Sequence, residues 1–152
     1  MSLTLKEIVY QQVAIAVENR IDKLKLILQE MFEAASSTDA KSSAGDKHET
    51  GVAMAQLEQE KLTKQINELL LLKENLQKII PTTIQTKVGL GSLVEINNGW
   101  YYFSIGIGQI SVDGNSFFAL NPKAPIGELM LGKSVGEKIQ YNGKITEILS
   151  IQ

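Results

Sequence analysis

Ser36-Ser37-Thr38-Asp39-Ala40-Lys41-Ser42-Ser43-Ala44-Gly45 interrupts two long runs of helical period, and its composition tells how the first half of the chain is built. Hydroxyl residues, Asp and Gly gather there as they do in loops and helix caps, so the chain is expected to reverse within it. Upstream, Ile21, Leu24, Leu28 and Met31 recur at steps of three and four, and Val9, Val13, Ala16 and Val17 carry the stripe back toward the N-terminus. Downstream, Leu62, Ile66, Leu69, Leu72, Leu76 and Ile79 repeat those steps with Glu58, Lys61, Lys64, Glu68 and Glu74 between them. One apolar stripe on an otherwise polar helix is the mark of an element that buries a single face. Two such stripes of about 30 residues predict an antiparallel helical hairpin, a coiled coil about 45 Å long at 1.5 Å per residue.

Beyond Ile80 the character changes. Residues 1–80 hold two glycines and no proline, whereas 81–152 hold ten glycines and all three prolines, so a domain boundary is expected near Pro81. The first segment, 1–80, has its acidic tip near 36–50, and the second, 81–152, reads as strands and turns. Ser92–Ile96 and Trp100–Ile107 flank Asn97-Asn98-Gly99, Gln109–Val112 and Ser116–Leu120 flank Asp113-Gly114, and Glu137–Tyr141 and Lys144–Ile151 flank Asn142-Gly143. Asn-Gly and Asp-Gly favour tight hairpins because both residues tolerate positive φ. Between the last two units, Pro125 opens a short helix and Gly132 closes it. The fold class is therefore α+β: a helical hairpin followed by a small antiparallel sheet with one helix on a face.

Composition removes several function classes. The 152 residues include no Cys and one His, which excludes disulfide frameworks, thiolate chemistry and multi-histidine zinc sites. The longest aliphatic run, Leu69–Leu72, is far short of the roughly 20 residues of a membrane span, and no basic-then-apolar leader opens the chain. A soluble, cytoplasmic protein is expected, without a membrane partner. With 15 basic and 17 acidic residues, a formal charge of −2 supplies no global field for independent binding of duplex DNA.

Three patterns invite a chemical reading. Gly127-Glu128-Leu129-Met130-Leu131-Gly132-Lys133-Ser134 matches the letters of a phosphate-binding loop, but that loop works only between a buried strand and a following helix. Here two prolines precede it and strand alternation follows, so it reads as a helix stop. The aromatics Trp100, Tyr101, Tyr102, Phe103, Phe117 and Phe118 alternate across strands, so about half are expected in the core and half outward. Gly45-Asp46-Lys47-His48-Glu49 fits a capping box, with Asp46 at the helix start and Glu49 reaching back. The same spacing sets two carboxylates on one helical face, and hard oxygen donors are what Mg²⁺ accepts. Two carboxylates alone do not hold Mg²⁺ tightly; a partner's acidic groups or a phosphate complete such a shell.

The hairpin, the Gly45-Asp46-x-x-Glu49 tip and the segment Ala124-Pro125-Ile126-Gly127-Glu128-Leu129-Met130-Leu131-Gly132-Lys133, in that order, resemble the bacterial Gre family of transcript cleavage factors over nearly the whole chain. The final strands, ending Ile145-Thr146-Glu147-Ile148-Leu149, are similar to that family's closing hairpin. The resemblance implies an FKBP-like second domain and an accessory factor rather than an enzyme. It implies docking on RNA polymerase at the secondary channel, with Pro125, Ile126, Leu129, Gly132 and Lys133 in the partner-binding segment. It further implies that Asp46 and Glu49 share a Mg²⁺ with the polymerase and assist its cleavage of a backtracked RNA 3′ end. After Glu49 the chain reads Thr50-Gly51-Val52-Ala53 where the family has Asn-Ala-Glu-Tyr. The alternative the resemblance implies is a Gre-like channel regulator that does not stimulate cleavage. A free-standing peptide-binding or prolyl isomerase module built on the aromatics leaves the hairpin without a role.

Overall fold

The structure, a computed structural model, describes residues 2–39 and 45–152, with side chains described for 2–34 and 51–152. Two long helices, α1 (Leu5–Asp39) and α2 (Gly45–Gln77), precede the strands β1 (Leu93–Ile96), β2 (Gly99–Phe103), β3 (Gly108–Val112) and β4 (Asn115–Leu120). A short helix α3 (Pro125–Met130) and the strands β5 (Lys138–Tyr141) and β6 (Lys144–Ile151) complete the chain. Contacts divide it into two compact units, Met1–Val17 with Leu72–Gln152, and Glu18–Leu71.

The helices run further than their stripes predict. α1 continues through Ser36-Ser37-Thr38-Asp39, because these residues cost a helix only tenths of a kcal/mol each and no Gly or Pro intervenes. The reversal is thereby confined to 40–44, which lies outside the described residues. α1 opens with a capping box that its letters also encode: the Glu7 amide donates to Thr4 Oγ1 (3.2 Å) and the Thr4 amide to Glu7 Oε2 (2.7 Å). At the other end of the pair, the Ile79 amide donates to the Leu76 carbonyl in a tightened last turn, and Pro81 cannot continue the helix.

In the unit that holds the sheet, the strand order is β3-β4-β2-β1-β6-β5. Neighbours are antiparallel except β2 and β4, which pair in parallel from Trp100 opposite Phe117 to Phe103 opposite Leu120. The expected all-antiparallel sheet is corrected here: β2 ends at Phe103, and residues 104–107 carry the chain to β3 so that β4 returns beside β2 in the same sense. Two of the three expected turns form as read, with positive φ at Asp113 and Gly114 and at Asn142 and Gly143. The first differs. Ile96 pairs with Gly99, so the loop is Asn97-Asn98, and Asn97 Oδ1 accepts from Thr146 Oγ1 (3.1 Å) and the Glu147 amide (2.6 Å), which joins the turn to β6.

Both faces of this sheet are covered. On one, Val94, Ile96, Phe103, Leu120 and Ile148 pack with Met130 of α3, and Tyr101 and Ile126 close the edge of the cluster. On the other, Leu93, Tyr102, Phe117 and Ala119 are buried, as are Val9, Val13 and Val17 of α1 and Leu76 and Ile79 at the end of the helical pair. Lys6, itself buried, donates from Nζ to the Thr83 carbonyl at 2.7 Å, and Tyr10 donates to the Leu76 carbonyl at 3.2 Å. Burial lowers the pKa of Lys6, since the charged form loses solvation there. Burial, with the nearby Tyr10 as a lesser cause, holds the Tyr102 phenol well above its usual value. Of the six aromatics only Phe118 is exposed, at 44%. The even split expected of them fails because a sheet covered twice has no wet face.

The other unit, Glu18–Leu71, is a two-helix seam. On α2 the less exposed positions Ala55, Gln59, Leu62, Ile66 and Leu69 follow alternating steps of four and three, the heptad spacing of coiled-coil knobs. Leu24, Ile27, Leu28 and Met31 of α1 are likewise only partly buried. Two helices alone leave each seam residue open on one side, so burial stays incomplete.

Candidate functional site

Two segments carry the residues singled out by the sequence. The first is the opening turn of α2. The helix begins at Gly45, so Asp46 and Glu49 stand three residues apart within its first turn rather than flanking its start. Carboxylate-bearing residues are favoured there because unpaired amides and the aligned peptide dipoles place positive charge at a helix N-terminus. The side chains of Asp46, His48 and Glu49, and with them the expected capping box, lie outside the described residues. The sequel is described: Gly51, Val52 and Ala53 are exposed and helical, with nothing within 4 Å of the place where a Gly51 Cβ would stand.

The second segment is α3 and its exit. Ala124 precedes the helix with extended geometry (φ −61°, ψ 153°), and Pro125 occupies the first turn, where its missing N–H costs nothing. Gly127 is needed for space. A Cβ there would stand 2.7 Å from the Pro122 carbonyl oxygen and 3.0 Å from that of Asn121. Gly132 ends the helix with φ +78°, a conformation that a Cβ penalises. Its amide donates to the Val88 carbonyl (2.8 Å), and the Val88 amide returns to the Lys133 carbonyl (2.9 Å).

This geometry sorts the five docking candidates. Pro125, Leu129 and Gly132 are exposed, Lys133 is partly so, and Ile126 packs on the core cluster. Leu131, absent from the sequence reading, is 40% exposed beside Leu129 at 41%. The signal for it was present: in Leu129-Met130-Leu131 only one of three consecutive helical positions can face the sheet, and Met130 does. The amides at the end of the loop-like motif are also engaged. Gly132 donates to Val88, Lys133 to the Met130 carbonyl (3.1 Å), and Ser134 to Glu137 Oε2 (2.6 Å). With a carboxylate already on the Ser134 amide and a helix before rather than after it, the segment offers no phosphate cradle.

Among the described residues, no three His, Asp or Glu side chains gather as a metal site. No described helix is long and apolar enough to cross a membrane.

No family model matches this chain, and no curated protein does. Among solved structures, the GreA factor homolog 1 (Gfh1) protein of Thermus thermophilus is similar over 91% of this chain and 94% of its own, at 16% identity and a TM-score of 0.38. A second structure of the transcription factor Gfh1 covers 91% and 92% at 16% identity and a TM-score of 0.36.

Proposed function

We propose that this protein is a Gre-like transcription elongation factor that enters the secondary channel of RNA polymerase and stimulates the polymerase's own cleavage of backtracked RNA. The observation that carries the reading is the placement of Asp46 and Glu49 in the first turn of α2, directly after the reversal between two helices of 35 and 33 residues. About 38 Å of helix separates Asp46 from Leu71, at 1.5 Å per residue, so the acidic pair terminates a long, narrow element. The α3 segment, with Leu129 and Leu131 exposed side by side, supplies the docking surface for the polymerase.

The donor set fits a shared Mg²⁺ and not a resident one. Two carboxylates supply hard oxygens but leave most of the shell to water, substrate phosphate or a partner. When bound, a second ion would polarise a water or a phosphate oxygen for hydrolysis. This chain's contribution is to deliver two negative groups on a preformed helical turn, so that little ordering entropy is lost when they meet the ion. The protein is then an accessory that completes another enzyme's metal site.

A second reading has its own observation. Gly51, Val52 and Ala53 give the stretch after Glu49 neither a further carboxylate nor an aromatic. A factor built this way that occupies the channel without stimulating cleavage binds polymerase and regulates initiation or pausing.

One experiment separates the two. A halted complex of purified polymerase carrying backtracked, end-labelled RNA is incubated with Mg²⁺, with and without the protein. Shortening of the RNA above the polymerase's own rate is expected, and Leu129→Asp weakens the effect by raising the concentration of factor required. Binding without shortening selects the second reading, and no binding removes both.

A further inference from the structure

The face of α2 opposite its seam carries a symmetric pattern. Leu57, Glu60, Lys64, Glu68 and Leu71 stand at −7, −4, 0, +4 and +7 about Lys64, and all five are exposed, Leu57 at 65% and Leu71 at 57%. At 100° per residue they fall within about 40° of one line along the helix, directly opposite Leu62, Ile66 and Leu69. An open groove of about 720 Å³ runs along this part of α2, lined by Glu60, Lys64, Glu68 and Leu71 together with Phe32 of α1. Phe32 is itself 54% exposed.

A stripe that reads the same from either end has a specific physical use. A two-fold interface is isologous, so each residue must suit its own mirror position on the partner. If a second α2 crosses antiparallel about Lys64, Leu57 meets Leu71 of the other copy and Leu71 meets Leu57. Lys64 then lies between the Glu60 and Glu68 positions opposite. The flanking charge agrees. Described residues 28–34 and 51–60 carry Glu30, Glu33, Glu58 and Glu60 and no cation, whereas 18–27 and 61–71 carry Arg20, Lys23, Lys25, Lys61 and Lys64 against three carboxylates. Antiparallel copies set acidic against basic at both ends; parallel copies would set like on like.

We propose that a second copy of this chain occupies the Leu57–Leu71 face, pairing the hairpins antiparallel about Lys64. The contact spans about 21 Å of one helix, small for a stable complex, so association is weak and concentration-dependent. The pairing covers one face of the hairpin and so withholds it from any other partner. It does not depend on the polymerase reading.

The test uses the full chain. Light scattering during size exclusion should give a mass rising from 16.7 kDa toward twice that value as loading approaches about 200 µM, a range suited to weak pairing. Leu57→Glu with Leu71→Glu should abolish the rise while leaving the far-ultraviolet helical signal unchanged, since both positions are exposed. Because the chain has no Cys, Lys64→Cys places a single thiol at the axis, where facing helices bring Cα atoms within disulfide reach. Mild oxidation should link that variant into a dimer and leave Lys23→Cys monomeric. A wild-type mass fixed at 16.7 kDa together with no linkage of Lys64→Cys overturns the proposal. So does equal linkage of both variants, which marks collision. A monomer whose polymerase binding is lost in the double variant also overturns it, and assigns the stripe to the polymerase.

Discussion

In the sheet-bearing unit, Leu93, Val94, Tyr102, Phe103 and Met130 lose all exposure, whereas in the hairpin unit Leu24, Ile27, Leu28 and Met31 keep part of theirs and Phe32, Met54 and Leu57 keep more than half. Apolar content is similar; layering is not. A sheet covered on both faces closes around its side chains, and two helices cannot close around theirs. The first unit is thus held by packing. The second is held by helix propensity and one seam, and it leaves apolar and charged groups available to partners.

Substitutions test that difference, and the largest effect belongs to the closed core. Phe103→Ala should cost about 3–5 kcal/mol in urea unfolding, while Leu28→Ala, already half in water, should cost about 1–2 kcal/mol. Equal losses at the two sites would break the contrast. Gly127→Ala comes next. Its Cβ would meet the Pro122 carbonyl at 2.7 Å, so strain of about 1–3 kcal/mol is expected, read as a lowered urea midpoint. The smallest effect has the opposite sign. Gly51→Ala has open space around it in α2 and should stabilise the helix by about 1 kcal/mol, seen as slower amide exchange near the start of α2. Destabilisation there would show that Gly51 serves something other than the helix.

Much of this was legible in the letters. The period of 3.6 and then 2, the turn residues Asp113-Gly114 and Asn142-Gly143, and the Pro125 to Gly132 frame of α3 are local signals, and local chemistry set them. The parallel pairing of β2 with β4 was hidden because it joins residues that share no turn. The burial of Trp100 to Phe103 on both sides was hidden for a related reason: alternation reports that a strand has two faces, not whether each is covered. Thr4-x-x-Glu7 was readable as a capping box and was passed over beside the longer stripe behind it. At the candidate tip, spacing alone fixed that Asp46 and Glu49 share a turn, and the backbone of α2 agrees. What those carboxylates coordinate depends on another molecule, and no pattern within one chain encodes that.

The measurement closest to the central claim is the single-turnover rate of Mg²⁺-dependent RNA shortening in a backtracked polymerase complex, with wild-type protein, Asp46→Asn and Glu49→Gln. Each amide keeps the size of the residue and leaves the helix start within about 1 kcal/mol of its original stability. Loss of stimulation in both variants, with polymerase binding retained, is the predicted result. Stimulation undiminished by either substitution would contradict the account.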